Sequence, residues 1–226
     1  MMAETSVQPH SLDNKMQQLI ARLVDYELLA SDATFDAASF HEFKRFVASK
    51  VHVSSTTISK VMERLLFSIS STQTIQHIVV LGSYCGYAML WMAAGLQSKP
   101  DAVIDGFDIN EQACELARLN MERSRLQQAH IFNKDAYTAT ENYEDGSIDL
   151  LFIDVEHHGK SDYAPLLQQW LPKLSKGAIV LAHDPLIAKF QQDFAAYHQV
   201  VTNKALFTKT LTLPIDECGV EISIRP

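Results

Sequence analysis

Cysteine spacing of the kind that binds metal is missing from this chain. Cys85, Cys114 and Cys218 lie far apart, with no CxxC pair and no Cys/His cluster. That excludes a zinc-ribbon framework and points to reduced thiols in a cytoplasmic protein. Long apolar runs are missing too. The most apolar stretch, residues 78–95, is interrupted by Gly82, Ser83 and Gly86, so no membrane span is expected. The opening MMAETSVQPHSLDNK is polar and lacks the apolar core of a signal peptide. No stripe of Lys and Arg interleaves with aromatics, and the net charge is −8. An acidic chain repels phosphate, so neither nucleic acid nor an anionic membrane is expected as a partner. With 8 Gly and 7 Pro in 226 residues, no Gly/Pro/Ser-rich linker divides the chain, and one globular unit is expected. No internal repeat is present.

What is there changes character along the chain. The first ten residues, polar and without periodicity, read as disordered. Residues 11–30 carry helical spacing, with Leu12, Met16, Leu19, Ile20 and Leu23 on one face. Two more helices are predicted over 38–50 and 56–70, the second with Ser55, Thr56 and Thr57 as available N-caps. Phe40, Phe43 and Phe46 at helical spacing read as core rather than as a pocket lining. From residue 77, short β-branched runs alternate with amphipathic helices: HIVVLG, AVIDGFDI, AHIFNK, IDLLFIDV and GAIVLAHD are the strands. Continuous apolar strands are buried on both faces, as in a parallel sheet covered by helices. Right-handed crossovers then give an α/β, doubly wound, Rossmann-like sheet. FTKTLTL and VEISIRP, joined by a turn containing Gly219, predict a C-terminal antiparallel hairpin at one edge.

Such sheets bind ligands beyond the carboxyl ends of their strands, where the strand order reverses. Polar residues end nearly every strand there: Gly82 to Gly86, then Asp108, Asp135, Asp154, and finally His183 with Asp184. LGSYCGYA is a strand–turn–helix junction whose glycines permit positive φ and close approach of a ligand to the backbone. Asp108 follows it by roughly twenty residues, the place of an acid that accepts from a ribose diol; a helix N-cap is the competing role. FIDVEHH sets Asp154, Glu156, His157 and His158 at one strand end, and LAHDP sets His183 and Asp184 at the next. Carboxylates converging from neighbouring strand ends suit a hard cation; helix capping is again the alternative. LGSYCG lacks the third glycine of GxGxxG, which argues against a nicotinamide-dependent dehydrogenase.

LGSYCGYA, GFDIN, KDA, the Asp154 segment and the closing LPIDECGVEISI together resemble the cation-dependent class I O-methyltransferases. That group includes catechol and caffeoyl-CoA O-methyltransferases and related bacterial enzymes. VHVSSTTISKVMERLL is similar to the helix before the first motif in the caffeoyl-CoA branch. FIDVEHHGKSDYAPLLQQWLPKLSKGAIVLAHD looks like the antibiotic and sugar branch, where an acid-x-x-His follows the fourth strand.

The resemblance covers residues 50–226 and implies an S-adenosylmethionine (SAM)-binding domain over 51–226, with residues 1–50 as a helical cap over the substrate. It implies that Gly82, Ser83, Tyr84 and Gly86 line the methionine part of SAM, that Asp108 holds the ribose, and that Asp135 and Ala136 meet the adenine. Asp154 and Asp184, with His183 beside them, would hold a divalent cation, Mg by family habit. His157 would be the general base next to Asp154. Three positions depart from the family: Val80 replaces an acid two residues before the first glycine, Ala88 replaces a serine, and His183 replaces an acid before Asp184.

The expectation is a homodimeric SAM-dependent O-methyltransferase acting on a small hydroxylated metabolite with a divalent cation. A metal-independent enzyme using His157 or His183 as base, and a SAM-fold protein that no longer methylates, stand as alternatives.

Overall fold

The computed structural model describes residues 9–54, 57–157 and 159–226. Three helices come first: α1 (Pro9–Asp25), α2 (Ala37–Val47) and α3 (Lys60–Ser71). Helix α1 thus begins inside the segment read as disordered; the remainder of that segment, residues 1–8, lies outside the described residues. It also ends earlier than the periodicity suggested, and Glu27 just beyond it takes a left-handed φ of 54°. Helix α2 is capped by Asp36, which accepts from the Ser39 N–H at 3.1 Å. Of the caps expected for α3, Ser55 and Thr56 lie outside the described residues and Thr57 precedes the helix. Its cap is Ser59, accepting from the Met62 N–H at 3.2 Å.

Alternating strands and helices then run β1 (His77–Leu81), α4 (Tyr87–Gly95), β2 (Val103–Asp108), α5 (Glu111–Arg123), β3 (Ala129–Asn133), α6 (Ala136–Ala139), β4 (Ile148–Ile153), α7 (Tyr163–Trp170), β5 (Leu174–His183), α8 (Gln191–Val201), β6 (Lys209–Leu213) and β7 (Val220–Ile224). The sheet order is β3-β2-β1-β4-β5-β7-β6. The first five strands are parallel, and β7 runs antiparallel to both β5 and β6. The doubly wound sheet with its C-terminal hairpin is therefore as the sequence pattern predicts.

Strand order reverses between β1 and β4, which puts the crevice expected of such folds at their carboxyl ends. Helix α4, YAMLWMAAG, is buried from Met89 to Gly95, as befits a helix apolar on all sides. Its Trp91 stacks on Phe40 of α2 at 4.9 Å between ring centroids. Phe40 and Phe43 are buried core residues, and Phe46 packs against the same cluster.

A polar seam ties α1 and α2 to α3. Asp13 accepts from Arg64 Nε at 2.8 Å and lies 2.7 Å from His41 Nε2. Glu63 takes the Lys44 ammonium at 2.6 Å and the Tyr87 hydroxyl at 2.8 Å. Buried carboxylates persist only where such partners satisfy them. Among the described residues no helix is long and apolar enough to cross a membrane.

Candidate active site

A cavity of about 840 Å³ opens at the carboxyl ends of β1, β2 and β4, within the size range of small-ligand sites. Ten of the eleven sequence-predicted residues line it: Gly82, Ser83, Tyr84, Asp108, Asp135, Ala136, Asp154, His157, His183 and Asp184. Gly86 does not. It turns the chain into α4 with φ of 77°, and a Cβ there would meet Met121 Cε at 2.9 Å. Its glycine serves packing against α5 rather than the cavity. Gly82 serves a similar end: a Cβ would lie 2.3 Å from the carbonyl oxygen of Asp154. The first turn is thereby pressed against the end of β4.

The turn after β1 is fixed by Asp108. Its carboxylate accepts from the Tyr84 N–H at 2.8 Å and the Asn110 N–H at 2.9 Å. Asp108 is not the cap of α5; Asn110 is, accepting from the Ala113 N–H at 3.1 Å. A carboxylate has about four acceptor positions, so Asp108 keeps capacity for a ligand hydroxyl. Tyr84 itself takes φ of 44°, a sparsely populated conformation of the sort that gathers at functional sites. The Ser83 hydroxyl is buried without a hydrogen-bond partner among the described residues, a donor left over in the cavity wall. Asp135 caps α6 through the Tyr137 N–H at 2.8 Å. A polar cleft with unspent donors and acceptors, beside an acid at the end of β2, fits a nucleoside bearing a polar tail.

The other end of the cavity is a closed ring of charge. Ile153 and Ala182 are register partners on β4 and β5, so Asp154 and His183 emerge side by side. Lys160 Nζ donates to Asp154 Oδ1 at 2.9 Å and lies 2.9 Å from Asp184 Oδ2. The other oxygens of the same carboxylates, Asp154 Oδ2 and Asp184 Oδ1, each lie 3.3 Å from His183 Nδ1. Neither acid caps a helix. Asp184 holds φ of 71° to complete the ring.

Lys160 was not anticipated. Its side chain is only 1% exposed, and its ammonium faces the rings of Tyr163 and Phe190 at 5.1 and 5.4 Å. Burial pulls its pKa down, but Asp154 and Asp184 outweigh that and hold it above the ordinary lysine value. Burial likewise raises Asp154, yet His183 and Lys160 together keep its carboxyl well below the usual range. For His183, burial lowers the imidazole pKa and the Asp154 charge reverses the shift upward. A buried group carries such charge only when it is paired in this way.

The ring bears on the expected metal set of Asp154, Asp184 and His183. A hard divalent cation wants six or more oxygen ligands, but all four carboxylate oxygens already face basic nitrogens. His183, Asp184 and Cys218 do offer ligand atoms within 4.8 Å of one another. Burial and then Asp184 push the Cys218 thiol up to about 12. As arranged, these residues do not fit a bound divalent cation: the positive charge between the acids is lysine.

Residues 79–185 match the protein family described as a methyltransferase domain. The fold is that of the class I methyltransferases. Among solved structures, the chain is similar to an O-methyltransferase from Bacillus cereus in complex with S-adenosylhomocysteine (SAH), at 16% identity and a TM-score of 0.65, covering 94% of this chain and 99% of that one. It is similar to the SAH-bound Podospora anserina methyltransferase PaMTH1, at 15% identity and TM-score 0.67, covering 100% of both chains. It also resembles the O-methyltransferase TomG of Streptomyces achromogenes, involved in tomaymycin synthesis and solved with SAM, at 14% identity and TM-score 0.65, covering 94% and 98%. No curated protein sequence matches the chain significantly. The resemblance carried by the sequence motifs thus holds at the level of a methyltransferase domain over residues 79–185 and of the overall fold.

Proposed function

We propose that the chain transfers the methyl group of SAM to a hydroxyl of a small metabolite. The observation that carries this reading is the continuity of one cavity from the Gly82–Tyr84 turn and Asp108 to Asp154, His157, His183 and Asp184. A cofactor cleft and an acid/base cluster share one space.

In this reading Asp108 accepts from the ribose hydroxyls, Asp135 and Ala136 border the adenine, and Gly82, Ser83 and Tyr84 border the methionine part. Bound SAM supplies an electrophilic methyl group. The acceptor hydroxyl lies toward Asp154 and His157. His157 is exposed to the cavity, and an imidazole is a general base suited to neutral pH. It takes the hydroxyl proton while the acceptor oxygen is held in line with the methyl, a step in which positioning supplies much of the rate. His183, wedged between two carboxylates, is the poorer candidate for base because its proton is held in place.

The supporting experiment is methylation of a panel of catechols and simpler phenols with radiolabelled SAM, run with wild-type protein and with His157→Ala. Transfer by wild type that falls steeply in the variant is the expected result. Transfer unaffected by the variant would remove His157 from the mechanism.

A further inference from the structure

We propose that Lys160 is the resident cation of this site, and that its ammonium occupies the position between Asp154 and Asp184 that a divalent metal would otherwise take. The inference rests on the methyltransferase reading for its place in catalysis, but not for its test. Lys160 reaches the acids from the side away from the cavity, whose lining does not include it. It is therefore a positioning residue, acting on the acceptor only through Asp154 and Asp184.

Three features build the arrangement. Lys160 gives one hydrogen-bond contact to each carboxylate at 2.9 Å, a geometry that balances the two acids about a single charge. The backbone is anchored independently: the Lys160 N–H donates to Asp193 Oδ2 at 2.8 Å, across from α8. Gly159 just before it has φ of 79°, and a Cβ there would stand 2.3 Å from that same Asp193 oxygen. The loop is thus shaped to deliver one side chain. A metal entering between the acids would leave the ammonium facing Tyr163 and Phe190 with its carboxylate partners taken and water shut out, which is unfavourable for a buried charge. The ammonium holds the acids together and neutralises them, so acceptor binding and proton removal proceed without a divalent ion.

Manganese(II) titration followed by EPR reads this without any assay of methyl transfer. Wild-type protein is expected to leave the free-ion signal unchanged at millimolar manganese, with or without SAH. Lys160→Met, which keeps the length and removes the charge, is expected to gain manganese binding by tenfold or more, because it frees two carboxylates. Tight manganese binding by wild type overturns the proposal, and so does a folded Lys160→Met that gains none.

A measurement on wild type alone guards against misfolding of the variant. Under limited acetic anhydride treatment, Lys160 should stay protected relative to exposed Lys176, and added magnesium should not change that. Magnesium-induced labelling of Lys160 would show the ammonium displaced and overturn the proposal. SAH titration of the same samples separates the two claims: lost SAH binding by wild type speaks against the methyltransferase reading, and tight manganese binding by wild type speaks against the lysine.

Discussion

Lys160 Nζ and Asp184 Oδ2 stand 2.9 Å apart, although the lysine belongs to the loop before α7 and the aspartate to the end of β5. What brings them together is Gly159. Alanine there would keep an unfavourable φ and push Asp193 off the Lys160 N–H. Gly159→Ala is expected to cost about 1–3 kcal/mol of stability, read by urea unfolding, and to reduce turnover. SAH affinity should hold, since Gly159 lies outside the cavity. A variant as stable and active as wild type would remove the loop from the account.

Asp108 holds the turn after β1 through the Tyr84 and Asn110 N–H groups. Asp108→Ala removes the acceptor for the Tyr84 N–H as well as the one proposed for the ribose. SAH affinity should fall about tenfold or more, near 1.4 kcal/mol, measured by calorimetry. An unchanged dissociation constant would refute the ribose role.

His157→Ala should lower kcat while leaving the SAH dissociation constant within about threefold, because in the proposed reaction the imidazole acts on the acceptor hydroxyl. Equal losses in SAH affinity and turnover would recast His157 as a binding residue.

Stability should also carry an acid signature from the seam that joins α1 and α2 to α3. Burial raises the Asp13 carboxyl, but His41 and Arg64 outweigh it and hold it below the usual range. The folded pKa is depressed, so the stabilisation is present above the unfolded value of about 3.9 and fades as pH falls through the folded value. Asp13→Asn should cost about 3 kcal/mol at neutral pH by stranding Arg64. It should also flatten the loss of unfolding free energy below pH about 4. Parallel pH curves for the two proteins would contradict this.

Much of this was legible in the sequence, for identifiable reasons. Parallel strands buried on both faces leave unbroken apolar runs, so β1 to β5 could be read as one parallel, doubly wound sheet. Strand ends collect polar residues, so Asp108, Asp135, Asp154 and His183 could be placed at one edge. Gly86 meets a demand the sequence did not show, packing against α5, because a glycine required by helix packing looks, in one dimension, like a glycine required by a ligand. Lys160 was missed for a different reason: HHGKSDY gives a lysine in a loop, ordinarily solvated, and only the fold shows it buried between two acids. The sole local hint was the glycine before it. Asp154 and Asp184 alone read as a metal pair, since the sequence did not reveal that their countercharge is supplied within the chain.

The most direct test of the whole account is calorimetric titration of EDTA-treated protein with SAH, repeated with magnesium. Micromolar binding, equal in both conditions, is the predicted result and would place the cofactor beside a site that needs no added metal. Absence of binding in both would contradict the methyltransferase reading, and binding that appears only with magnesium would contradict the role given to Lys160.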